Sequence, residues 1–180
     1  MKLTQYKKII KDLQRDELEA HLFAMFKTSK AFKDVECSYW CSEYNDELLA
    51  GLENQLKRVF WKDRFSLSEC KGVLKDYLDR TVDGGTRALM HLRFAAEAAE
   101  VSEAFGDYGD SFYNSLISEA GKYMDYAAQD PAFFSLHEGE FEALITMAES
   151  IGDGIAMELV EMLENVRCEL GYCEESEEDE

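Results

Sequence analysis

A single proline, Pro131, interrupts a chain of 180 residues whose apolar positions recur at spacings of three and four. Backbone N–H donors are therefore available almost everywhere, and the apolar side chains fall on one face of a helix. Eleven glycines add little further punctuation. This pattern suits helices joined by short turns and excludes a many-stranded sandwich or barrel.

Thr4 is placed to cap a first helix carrying Tyr6, Ile9, Ile10 and Leu13, and Asp16 a second carrying Leu18, Leu22, Met25 and Phe26. The short gap between them predicts a tight antiparallel pair. Phe32 to Cys41 fits both a strand alternation and a helical turn, and is read as a short helix running into a loop. A long helix is expected from Asn45, with Leu48, Leu52, Leu56 and Phe60 on one face. Ser66-Leu67-Ser68-Glu69 has the form of a capping box for the next, which Asp83-Gly84-Gly85 closes. Residues 86–104 form an alanine-rich helix, with Leu89, Leu92, Ala96, Ala99 and Val101 toward the core, stopped by Gly106. Asp110 or Ser111 caps a helix bearing Phe112, Leu116, Ala120 and Tyr123. Asp130-Pro131 is a cap with proline at the first helical position. Gly152-Asp153-Gly154 separates that helix from a last one, which ends at Gly171.

The predicted fold is all-α, with about seven to nine helices in antiparallel pairs. It resembles an irregular HEAT- or armadillo-like stack, although no fixed-period repeat is present. Residues 1–173 form one helical domain and 174–180 an acidic tail expected to be disordered.

Charge is unevenly spread. Residues 1–64 carry 12 Lys and Arg against 11 Asp and Glu, a net of +1, whereas residues 131–180 carry 1 against 15, a net of −14. The whole chain stands at −19. Such a field repels phosphate backbones, so nucleic acid is not expected as a ligand. A protein partner with a basic surface, meeting the acidic third, is the sharper reading of the same charge. No run approaches the length of a membrane span, and the basic start lacks the apolar stretch of a signal peptide. The expectation is a cytoplasmic protein. Five cysteines, an odd number, fit reduced thiols better than a secreted disulfide framework.

Catalytic signatures are missing. His21, His91 and His137 lie on different predicted helices and belong to no metal or hydrolase motif. Cys37 and Cys41, with Cys168 and Cys173, could bind zinc if the chain brought the pairs together. Their spacings are not those of a zinc knuckle, and buried cysteine is an ordinary small hydrophobe. No glycine-rich loop follows a strand, and Gly84-Gly85 beside Asp83 reads as a helix stop rather than an anion cradle. No cofactor is implied. Glu97, Glu100 and Glu103 recur along one helix face, which a solvated surface explains.

The most distinctive stretch runs from Phe105 to Ser115, with two glycines, two aspartates and a cluster of aromatics at an inter-helix turn. Turns between rigid helices are common places for function. Asp107, Tyr108, Asp110, Tyr113 and Asn114 are the candidate binding residues. Here the sequence resembles an uncharacterised bacterial family of acidic all-helical proteins with a Gly-Asp-x-Asp-Glu-x-Phe-Tyr-Asn-Ser pattern, matched by Gly106-Asp107 through Phe112-Tyr113-Asn114-Ser115. Gly109 stands near an acidic position of that pattern and Ser111 where it tends to have proline. The opening Lys2-Leu3-Thr4, the segment Arg15-Asp16-Glu17-Leu18 and the turn Ile151-Gly152-Asp153-Gly154 are similar to the same family. The resemblance implies one folded unit and a shared turn, and no activity.

Two functional expectations follow. The first is a non-enzymatic helical module for protein–protein interaction, using a groove or the acidic third. The alternative is an enzyme or metal-binding protein with its site at the 105–115 turn. Oligomeric state is not legible.

Overall fold

The apolar stripes lie on helices throughout the computed structural model, which describes residues 2–152 and 154–172. The described residues form nine α-helices and no strand: α1 (Leu3–Asp12), α2 (Arg15–Thr28), α3 (Lys30–Trp40), α4 (Ser42–Phe60), α5 (Leu67–Leu78), α6 (Gly84–Phe105), α7 (Asp110–Ala127), α8 (Pro131–Glu149) and α9 (Ile155–Glu169). The chain is all-α, as its periodicity requires. The acidic segment 174–180, and Cys173 before it, lie outside the described residues.

Helices α4 and α5, α6 and α7, and α8 and α9 pack as successive hairpins. Across hairpins, α4 packs on α6, α6 on α8, and α7 on α9. The result is an irregular stack of three hairpins, the arrangement expected when each pair buries its apolar face on the next. Helix α6 is its centre and touches α4, α5, α7 and α8. It is buried on several sides, with Met90, Phe94, Ala95, Ala99 and Val101 inaccessible, because its small residues let neighbouring helices approach closely. Phe60 of α4 meets Phe94 edge-on at 5.3 Å between centroids, and Phe112 of α7 at 6.3 Å. Of the core positions read on α6, Leu89 and Ala96 are only half-buried. Arg93 of α6 ties two neighbours together, pairing with Glu53 of α4 at 2.7 Å and Glu140 of α8 at 2.6 Å.

Several helix ends differ from expectation. Lys2 and Gln14, not Thr4 and Asp16, are the first two N-caps. Each cap's backbone N–H donates to a side chain three residues on, Lys2 to Gln5 at 3.0 Å and Gln14 to Glu17 at 2.9 Å. Ser66 does cap α5, but without a side-chain hydrogen bond; Glu69 instead pairs with Lys62 at 2.5 Å. Gly109 rather than Asp110 or Ser111 is the N-cap of α7. Asp130 caps α8 as predicted, accepting from the Phe133 N–H at 3.1 Å.

Gly84 and Gly85 begin α6 instead of closing α5. Asp83 caps them by accepting from the Thr86 N–H at 2.7 Å. A Cβ on Gly84 would stand 2.5 Å from Cε2 of Tyr126, so glycine is there to admit the end of α7 against α6.

The N-terminal helices depart furthest from expectation. Neither α1 nor α2 has a buried residue, and they do not pack as an antiparallel pair. Their link is Tyr6 Oη, 3.4 Å from His21 Nε2. The stretch read as a short helix running into a loop is helical to Trp40, and α4 resumes at Ser42, three residues before Asn45. Helix α2 packs on α3 and α3 on α4. The clasp that holds α3 is polar: Arg80 donates to Asp34 at 3.2 Å, Asn45 donates to the Ser38 carbonyl at 2.9 Å, and Ser38 shares a hydrogen bond with Thr81. Asp34, Ser38 and Thr81 are all buried.

Candidate functional site

The 105–115 turn is built by its own side chains. Gly106 and Gly109, at φ 95° and 81°, take the left-handed backbone that reverses the chain between α6 and α7. Asp107 closes the turn by accepting from the Gly109 N–H at 2.6 Å, and the Tyr113 hydroxyl accepts from the Tyr108 N–H at 3.4 Å. Tyr113 is buried, and burial raises its phenol above the ordinary value. Tyr108 packs on Phe65 and Phe112, each at 5.0 Å. With Phe65, Asp63, Arg64 and Ser111 it lines an open cleft of about 430 Å³. Asp110 and Asn114 are exposed and do not line that cleft. Of the five candidate residues, then, the structure gathers Asp107, Tyr108 and Tyr113 into the turn's own bonding, with only Tyr113 buried, and leaves Asp110 and Asn114 outside it.

Two carboxylates lie inside the stack: Glu97, which the sequence places on a solvated face with Glu100 and Glu103 but which turns inward while those two stay exposed, and Glu119, which the sequence reading does not single out. Glu97 of α6 is buried, with Lys57 Nζ 3.6 Å from one oxygen, and the other oxygen has no hydrogen-bond partner among the described residues. Burial raises its carboxyl above the ordinary value of 4.5, and Lys57 only partly offsets this. Glu119 of α7 is equally buried but well supplied: His91 Nδ1 lies 2.6 Å away and Lys122 donates at 2.7 Å. Burial alone would raise the Glu119 carboxyl; hydrogen bonds from His91 and Lys122 outweigh it and hold the group below 4.5. The legible signal was position, since Glu119 falls within the apolar stripe of Leu116, Ala120 and Tyr123. A carboxylate so placed needs a partner.

A histidine oriented by a buried glutamate is half of an acid–base device. Among the described residues, no hydroxyl or thiol hydrogen-bonds His91 to complete it. His137 likewise pairs only locally, with Glu140 at 2.7 Å. Cys37 lies on α3, Cys41 at its end and Cys168 on α9. Cys173, the fourth proposed zinc ligand, is outside the described residues, and among the described residues no group of three His, Cys, Asp or Glu is placed to hold a metal ion. Cys70 is buried, which pushes its thiol up to about 12. No helix of the described residues is long and apolar enough to cross a membrane.

What remains unoccupied is surface. At one end of the stack, α1 exposes Leu3, Tyr6 and Ile9 beside Lys7, Lys8 and Lys11. Next to it, Leu22, Phe23, Phe26 and Phe32 line an apolar groove of about 300 Å³ between α2 and α3. At the other end, α9 exposes Met157 at 73% and Val160 at 42%, among Glu158, Glu161 and Glu164. Glu164 is paired to Arg167 at 2.8 Å, while Glu158 and Glu161 have no cation in ion-pair range among the described residues. Comparison with family models, curated proteins and solved structures finds no match.

Proposed function

We propose that this chain is a cytoplasmic, non-enzymatic interaction module that docks a basic amphipathic helix of a partner protein on its acidic C-terminal face. The observation that carries the reading is the composition of α9's outer face. Two large apolar side chains stand open to solvent, and the cations that would balance their acidic neighbours are absent from residues 131–180 except for Arg167. An apolar stripe flanked by lysines meets both requirements at once: contact area from Met157 and Val160, and charge complementarity from the glutamates. The same field disfavours a phosphate backbone.

Titration of a labelled lysine-flanked amphipathic peptide into the protein, followed by fluorescence anisotropy at low and moderate salt, tests this. Binding that weakens as salt rises and disappears in the double variant Val160→Lys, Glu161→Lys supports the reading. Absence of binding, or binding indifferent to salt, contradicts it.

A further inference from the structure

The partner helix just described has a counterpart in the chain itself. Helix α1 carries Leu3, Tyr6, Ile9 and Ile10 on one stripe, with Lys7, Lys8 and Lys11 around it. At 10 residues it is shorter than the ~12–15 that an isolated helix needs to be even marginally stable in water, and it has no buried residue. Its own chain supplies little cover beyond the Tyr6–His21 contact. Among the described residues no ion pair reaches Lys7, Lys8 or Lys11 either. Helix α1 thus leaves its apolar stripe open to solvent and its lysines without an acidic surface to face.

Both are present on α9, and α9 is not within the chain's own reach. Helix α9 packs on α7 and α8, and α3 reaches the stack through α4, so the two surfaces stand at opposite ends of the hairpin series. In a stack of hairpins the two terminal faces need a polar outer surface to remain uncovered, and here both carry large exposed apolar side chains. One end is apolar and basic; the other is apolar and acidic.

We infer that the occupant of the acidic face is α1 of a second copy of this chain, so that copies associate head to tail. The inference rests on the docking role proposed for α9. Ile9 and Tyr6 of one copy cover Met157 and Val160 of the next, and Lys7, Lys8 and Lys11 face Glu158 and Glu161. The contact is heterologous: each copy uses one surface to give and another to receive. Association therefore continues into longer assemblies or closes into a ring, and does not stop at a two-fold dimer.

Mixing of two variants tests this. One variant disables the basic end with Lys8→Glu and Ile9→Glu; the other disables the acidic end with Val160→Lys and Glu161→Lys. All four side chains are exposed, and circular dichroism checks that each variant folds. In sedimentation equilibrium at low salt, the wild-type protein should show a mass that rises with concentration and falls as salt is added. Each variant alone should remain a monomer. Their equimolar mixture should form a 1:1 dimer and stop there, because only one good junction is left. A peptide of residues 2–13 should lower the wild-type mass by capping the acidic end, a readout that needs no variant. Monomeric wild-type protein at low salt overturns the inference, as does a mixture that stays monomeric. Dimerisation of the acidic-end variant alone overturns it too, by pointing to a two-fold contact through the N-terminal helices. Binding of the designed peptide without self-association would leave the docking role of α9 standing and remove only the second copy.

Discussion

Helices α4–α9 and helices α1–α3 both carry apolar residues at helical spacing, yet only the first group encloses them in a core. In the stack, α6 is enclosed by four neighbours, and Phe60, Phe94 and Phe112 fill its centre with edge-to-face aromatic contacts. At the N-terminal end no residue of α1 or α2 is fully buried, and the polar clasp of Asp34, Ser38, Thr81 and Arg80 joins α3 to the rest. Polar clasps give direction but modest net stabilisation, because each hydrogen bond replaces one to water. Apolar burial gives stability roughly in proportion to area. The chain thus packs one part tightly and leaves exposed apolar side chains such as Leu3, Ile9 and Phe23 on the other.

Four substitutions probe that contrast. Phe94→Ala empties the centre of the stack and should destabilise the whole fold by about 3–5 kcal/mol in denaturant unfolding, with α4–α9 lost together. Retention of a separate transition for α1–α3 would show that those helices fold on their own, against the contrast drawn here. Glu119→Ala leaves His91 and Lys122 without their shared acceptor and should cost roughly 2–3 kcal/mol near neutral pH. Because the folded-state pKa of Glu119 is lowered, its contribution is complete above the ordinary value of 4.5 and is lost as pH falls through the lowered value. The gap between wild type and variant should therefore close in acid; a gap that widened instead would refute the pairing. Thr81→Val removes the hydroxyl that bonds Ser38 and accepts from the Asp83 N–H at 3.1 Å. A loss of roughly 1–2 kcal/mol is expected, felt in α3 by hydrogen exchange and not in α6. Phe23→Ser, at a side chain 65% exposed, should shift the stability of the monomer by no more than about 0.5 kcal/mol. A larger loss would mean that α2 is packed more tightly than its exposure indicates.

Helical periodicity made the class of fold and most core positions readable. Leu48, Leu52, Leu56 and Phe60, or Leu116, Ala120 and Tyr123, needed only their spacing, since burial on one face is what that spacing encodes. Caps were less readable, because Lys2 and Gln14 cap through backbone N–H groups donating to Gln5 and Glu17, a contact that the identity of the cap residue does not announce. The pairing of α1 with α2 was misread for a related reason: an apolar stripe shows that a helix wants cover, not which surface supplies it. At the 105–115 turn the chemistry of Asp107 and Tyr113 was visible in the sequence. Their engagement in the turn's own hydrogen bonds was not, because it depends on the positive φ of Gly106 and Gly109. Arg93 and Glu119 act across helices far apart in sequence, so no local pattern marks their partners.

Hydrogen exchange along the chain at two protein concentrations bears most directly on the claim that α1 is left uncovered by its own chain and completed by another copy. Amides of α6 should be strongly protected and indifferent to concentration, while those of α1 should exchange rapidly in dilute solution and slow down as protein is added at low salt. Protection of α1 equal to that of α6 in dilute solution, or rapid exchange of α1 at every concentration, would contradict the account.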